Sequence, residues 1–197
     1  MASLHLPPKI PPRSDASVSS APPPGQHRGT GAFLPEPLTP EQVADLLSAG
    51  FDVTCRPNWG RSAPSAHGWE QVCIYAVLPE ATYRYDARQH RLVLVKPGDW
   101  RAASGLEDCV ATAPVHLVYV VDIDALEQAH AEEHGVLAGA DAGCIVENVH
   151  RYCDGASLAA VVRGPVDRRR LAQVLGLKPT QHIALAQAVG HPQAPGH

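Results

Sequence analysis

Thr82-Tyr83-Arg84-Tyr85-Asp86-Ala87-Arg88-Gln89-His90-Arg91-Leu92-Val93-Leu94-Val95 is the stretch that decides the fold. Residues 82–85 and 91–95 are rich in aromatic and β-branched side chains, and a short polar link joins them. That pattern predicts an antiparallel hairpin. Toward the C-terminus, Pro97-Gly98-Asp99 breaks the second strand and caps a short helix around Trp100. Val115 to Val121 is apolar throughout except for His116, which suits a buried strand. A charged helix is expected over 124–134 and a second, more apolar one over 136–153, where Ala and Gly permit close helix packing. Leu158–Val162 reads as a short strand, and Asp167–Leu175 as a helix closed by Gly176. Ile183–Val189 reads as the last strand.

Toward the N-terminus, Val72–Leu78 is a strand, preceded by a polar loop over 52–70. Before that loop, Thr39-Pro40-Glu41-Gln42 sets a hydroxyl at the N-cap, proline at the first helical position and glutamine at the third. This is a capping box, with proline in the one turn that tolerates it. Val43, Leu46, Leu47 and Phe51 follow at helical spacing, and Gly50 is the expected stop. Helices and strands mix without strict βαβ alternation, so the class is α+β rather than a doubly wound parallel sheet.

Ten of the 19 prolines fall in residues 1–40. Proline lacks the N–H that helices and ladders require. Residues 1–32 are therefore expected to form a Pro/Ser-rich arm, extended or disordered and outside the regular core. The folded domain is expected over 33–192, with a short tail at 193–197.

The chain has 197 residues, enough to bury a core without disulfides or metals. Its net charge of -4 offers no basic footprint for nucleic acid, and Arg168-Arg169-Arg170 reads as a solvated helix face. The five cysteines are odd in number and include no C-x-x-C pair. With no secretory h-region at the N-terminus and no membrane-length apolar run, a cytoplasmic protein with reduced thiols is expected.

Several constellations could carry chemistry. His130-Ala131-Glu132-Glu133-His134 has metal-ligand spacing, but no third ligand accompanies it and its neighbours are those of a surface helix. Ser65 and Cys73 have histidines nearby, yet no G-x-S-x-G elbow or Cys–His signature surrounds them. Gly25, Gly29 and Gly31 with His27 and Arg28 form a small basic glycine patch that could hold a phosphate.

A longer ordered set unites the chain. Trp59-Gly60-Arg61-Ser62-Ala63-Pro64-Ser65-Ala66 precedes the first strand of the domain. Thr82 to Asp86, His90-Arg91-Leu92, Gly98-Asp99-Trp100-Arg101 and Ala113-Pro114-Val115 follow. Val161-Val162-Arg163-Gly164-Pro165-Val166-Asp167 and Leu185-Ala186-Gln187-Ala188-Val189-Gly190-His191-Pro192 complete it. In order and spacing this set resembles the nitroreductase family, closest to the branch with the SagB-type dehydrogenases. The resemblance runs from about Phe33 to Pro192.

That resemblance implies a central, mainly antiparallel sheet flanked by helices. It also implies a homodimer with FMN at its interface, passing hydride from NAD(P)H to a small electron acceptor. Ala63, Pro64 and Ser65 match the loop along the flavin ring and ribityl chain. Arg163 and Gly164 match the turn whose backbone N–H groups face the ring's N5 and O4 edge, and Arg61 is a loop cation near the same site. Arg28 and Phe33 match part of the phosphate motif, close to R-R-S-x-R-x-F.

The departures lie in that motif. Gly29 stands at the serine position, Gly31 at the second arginine, and Pro22-Pro23-Pro24 where a helix is usual. Gly68 replaces a common Asn, and Glu70 a usual Gln. Each lost charged hydrogen bond removes roughly 1.5–3 kcal/mol. Two such losses amount to about two to four decades of affinity. The resemblance therefore carries an alternative: a degenerate homologue that keeps the fold and serves as a binding or partner subunit.

Overall fold

The computed structural model describes residues 2–8, 33–51, 72–104, 112–123, 131–163 and 166–193, with 131–134 as backbone alone. Its elements are β1 (Ser3–His5), α1 (Pro40–Phe51), β2 (Val72–Val77), β3 (Ala81–Asp86), β4 (Arg91–Pro97), a 3₁₀ turn (Arg101–Ser104), β5 (Val115–Asp122), α2 (Ala131–Gly155), β6 (Ala159–Arg163), α3 (Arg168–Leu175) and β7 (Gln181–Gly190). The strands make one seven-stranded sheet in the order β1-β4-β3-β2-β5-β7-β6. Every ladder is antiparallel. The class is α+β, as the hairpin at β3–β4 requires.

Local sequence sets most of these boundaries. At the start of α1, Gln42 N–H donates to Thr39 Oγ1 at 3.2 Å, and Thr39 N–H donates back to Gln42 Oε1 at 2.9 Å. Both orphan donors of the capping box are thus satisfied. Asp167 caps α3 by accepting from Arg170 N–H at 3.0 Å, and Gly176 closes it at φ 64. Left-handed backbone there favours glycine, because no Cβ meets the preceding carbonyl.

Two faces of the sheet carry separate cores. On one, α1 and α2 cover Ile74, Leu92, Leu117 and Tyr119, with Leu46, Leu47, Ile145 and Val149 supplied by the helices. On the other, the shorter α3 sets Leu171 and Leu175 against Tyr75, Val77, Val118 and Ala186. The alternation of a strand's side chains explains the division: Leu117 and Tyr119 serve one face, Val118 and Val120 the other. A bulge in the β5–β7 ladder pairs Tyr119 with Leu185 and Val120 with Ile183, leaving Ala184 without a partner residue. Arg168 covers the spot, with Nε donating to Ile183 O and Nη2 to Ala184 O, each at 3.3 Å.

Three expectations need correction. Residues 2–8, placed by composition in an arm outside the core, include an edge strand paired with β4 and a buried Leu6. The break expected between a helix over 124–134 and one over 136–153 is not there: α2 runs on from Ala131 through Gly135, which weakens a helix without ending it, while residues 124–130 lie outside the described residues. Gly50 is not a stop: it lies within α1, where a Cβ would stand 2.8 Å from Val149 Cγ2. Its role is the close approach of α1 to α2.

Candidate functional site

Of the seven expected site residues, Arg163 is the one that the described structure places. Arg28, Arg61, Ala63, Pro64, Ser65 and Gly164 lie outside the described residues. So does His130, and the His134 side chain with it. Among the described residues, no group of His, Cys, Asp and Glu could hold a metal ion.

Arg163 is the last residue of β6, an edge strand, and pairs with Ala186 of β7. It is half-buried. Three residues on, Val166 is buried with the α3 core, and its O accepts from Arg168 N–H at 2.9 Å. A strand end and a capped helix thus bracket residues 164 and 165.

Phe33 reaches the same edge from far away in sequence. It forms an isolated antiparallel bridge with Pro192, and Leu34 N–H donates to His191 O at 2.9 Å. Its ring is buried with Ala113 and Ala188, against Ala159 and Val161. Val161 and Arg163 are two apart on β6, so they share a face of the sheet. Phe33 therefore docks on the β6 face that bears Arg163. Gly190 makes room: a Cβ there would stand 2.5 Å from Pro114 Cδ and 3.1 Å from Phe33 Cδ1. This is the physical reason for glycine in Val189-Gly190-His191-Pro192.

The segment before β5 is held from the same side. Arg101 clasps Asp99 with Nε at 2.9 Å and Nη2 at 2.6 Å, while Nη1 donates to Ala113 O at 2.9 Å. The Arg101 hydrogen bonds hold the Asp99 carboxyl below its usual range, against a smaller opposing cost of burial. Ser104 Oγ donates to Arg101 O at 2.7 Å, which leaves its lone pairs for Nδ1–H of the buried His116.

Beneath the other face of β6 runs a polar chain that the sequence reading missed. Tyr119 O–H donates to Gln187 Oε1 at 2.5 Å. Gln187 Nε2 donates to His150 Nδ1 at 3.1 Å and to Val146 O at 3.4 Å. His150 Nε2 meets Ala160 O at 3.0 Å. A carbonyl only accepts, so Nε2 donates to Ala160 O. Nδ1 lies between two neighbours, Gln187 Nε2 at 3.1 Å and Val146 O at 3.2 Å, and accepts from the amide in the neutral Nε2–H tautomer. The chain ties α2 to β6 through β7. Its signal in the sequence was one amide, Gln187, inside an otherwise apolar strand. His150 also lines a groove of about 380 Å³ between α2 and β6, with Glu147, Val146 and Val162.

The sequence model of the Nitroreductase family matches residues 26–191. A Ralstonia eutropha protein classed as a nitroreductase is 31% identical, with 98% of this chain and 90% of that one aligned at a TM-score of 0.86. The chain belongs to the Nitroreductase family, a family of oxidoreductases. Two more distant structures share the fold. One is the E. coli microcin synthetase McbBCD complex with truncated pro-MccB17 bound, at 16% identity, 90% and 73% coverage and a TM-score of 0.76. The other is the NADPH:FMN oxidoreductase of Vibrio harveyi complexed with NAD+, at 21% identity, 85% and 66% coverage and a TM-score of 0.62. No curated protein matches the sequence. Among the described residues, no helix is long and apolar enough to cross a membrane.

Proposed function

We propose that this chain is an FMN-dependent oxidoreductase that passes hydride from NAD(P)H to a small electron acceptor, as a cytoplasmic homodimer. The observation that carries it is the convergence at β6. Arg163, expected at the flavin's N5 and O4 edge, shares a face with Val161, on which Phe33 from the phosphate motif docks. Those two parts of the motif set are 130 residues apart in sequence (163 less 33) and meet on one strand.

The donor chemistry fits FMN. That edge of the ring offers acceptors and gains negative charge on reduction; the backbone N–H groups at Arg163 and Gly164 would donate to it, and the Arg163 side chain adds a permanent cation nearby. Arg163 and Gly164 would hold the ring edge with Arg61 as a nearby loop cation, Ala63, Pro64 and Ser65 the ring face and ribityl chain, and Arg28 the phosphate. FMN, when bound, supplies the hydride-accepting centre; the protein positions it and screens it from water.

The test is the visible spectrum of the purified protein with added FMN, followed by NAD(P)H oxidation. A flavin spectrum with turnover is expected. A colourless protein that neither binds FMN nor oxidises NAD(P)H overturns the reading.

Gly29, Gly31 and Pro22-Pro23-Pro24 favour a second reading, a fold-retaining binding or partner subunit. The double variant Gly29→Ser with Gly31→Arg separates the two. Under the second reading it creates flavin affinity where the natural chain has none.

A further inference from the structure

β1 is the one strand that composition argues against, and its attachments are specific. Ser3, Leu4 and His5 pair with Val93, Leu92 and Arg91 of β4, and Leu94 N–H donates to Ala2 O at 3.1 Å. Leu6 is buried as part of the main core cluster, which also holds Leu92, Tyr85 and Ala87. The next residue is held by a side chain. His90 Nε2 donates to Pro7 O at 3.1 Å, and Tyr85 O–H meets His90 Nδ1 at 2.9 Å.

His90 holds this position at a cost. Its φ is 46, in the left-handed region that glycine takes more easily. It occupies the last position of the four-residue turn between β3 and β4. A histidine kept there, with one ring nitrogen on Pro7 O and the other on Tyr85, has a task beyond closing the turn. The task does not depend on the charge of the ring. Nε2 carries a proton in both the neutral tautomer required here and the cation, and the tyrosine hydroxyl can donate to Nδ1 or accept from it.

What the strand covers is equally defined. β4 is followed in the sheet order only by β1. Without β1, Arg91–Leu94 would be sheet edge with open N–H and C=O groups. Such an edge is a template for a strand from another chain.

We propose that residues 2–8 are a detachable strap, latched by His90, that guards the β4 edge against pairing with a second copy of this chain. Leu6 anchors the strap in the core and the imidazole locks its end. Three ladder residues and one buried leucine make a small unit, so the strap opens by local unfolding while the central strands stay closed.

The experiment is amide hydrogen exchange on the full chain, with His90→Gly as the main variant. Glycine keeps the turn at φ 46 and removes the latch. Leu94, whose N–H is bonded to Ala2 O, is expected to exchange at least tenfold faster, with Ile74 and Tyr119 in the central strands unchanged. Leu6→Asn, which weakens the anchor without touching the turn, is expected to give the same local pattern. At high protein concentration both variants are expected to sediment as larger species than the natural chain. Unchanged exchange at Leu94 in both variants overturns the latch, as does equal acceleration at Leu94, Ile74 and Tyr119. Local opening with no added association overturns the guard role.

Discussion

Gly190 and Pro114 lie so close that a β-carbon on the glycine would sit 2.5 Å from the proline's Cδ. Neither the proline ring nor the strand behind it can give way cheaply, and the Phe33 ring stands 3.1 Å away on the same side. Gly190→Ala is therefore expected to destabilise the chain by about 1–3 kcal/mol, the usual cost of overpacking. Urea denaturation checks this through a lower midpoint at unchanged slope.

The Tyr119–Gln187 hydrogen bond predicts a non-additive pair. Both residues are 0% exposed, so a lost partner cannot be replaced by water. Gln187→Leu leaves the phenol without its acceptor and His150 without a donor, and is expected to cost about 1–3 kcal/mol. Adding Tyr119→Phe removes the stranded hydroxyl. The double variant is then expected to be less destabilised than the two single changes summed. Strict additivity in denaturation would show that the bond carries no coupling.

Much of the fold was legible because its signals were local. Thr39 and Gln42, Asp167 and Gly176, and the hairpin around Asp86–His90 each act within a few residues. The sheet order was not, since β5 sits between β2 and β7 through pairings far apart in sequence. β1 was hidden for the same reason: three residues carry no period, and their partner at Val93 is remote. The change from charged to apolar residues near Gly135 marks where α2 meets the core, not where a helix ends. For the candidate site, motif order named Arg163 and Phe33, which the fold brings to one strand. It could not show that Gln187 and His150 brace the same strand, because a polar network declares itself only when its members meet.

Cys153 makes stability depend on alkaline pH. Burial pushes its thiol up from 9.0 to about 12, with a smaller contribution from Asp154. Its folded pKa is raised, so the unfolded chain loses that proton first as pH rises. The stability contributed is fully present below about pH 9 and falls between about 9 and 12. Cys153→Ala is expected to flatten that part of the stability–pH curve, read by urea denaturation from pH 7 upward. In the native protein at neutral pH, mass spectrometry after iodoacetamide treatment is expected to find Cys153 unmodified.

Arg163 decides the flavin reading most directly, because its backbone is fixed by β7 on the edge strand β6. Arg163→Ala removes a charged donor worth roughly 1.5–3 kcal/mol. The expected outcome is an FMN dissociation constant higher by about one to two decades. Arg163→Lys keeps the charge and loses the planar fork, so its affinity is expected between those of the natural chain and the alanine variant. Flavin fluorescence titration measures all three, with thermal melts to show that β6 remains in place. Equal affinities in three folded proteins would remove Arg163 from the site.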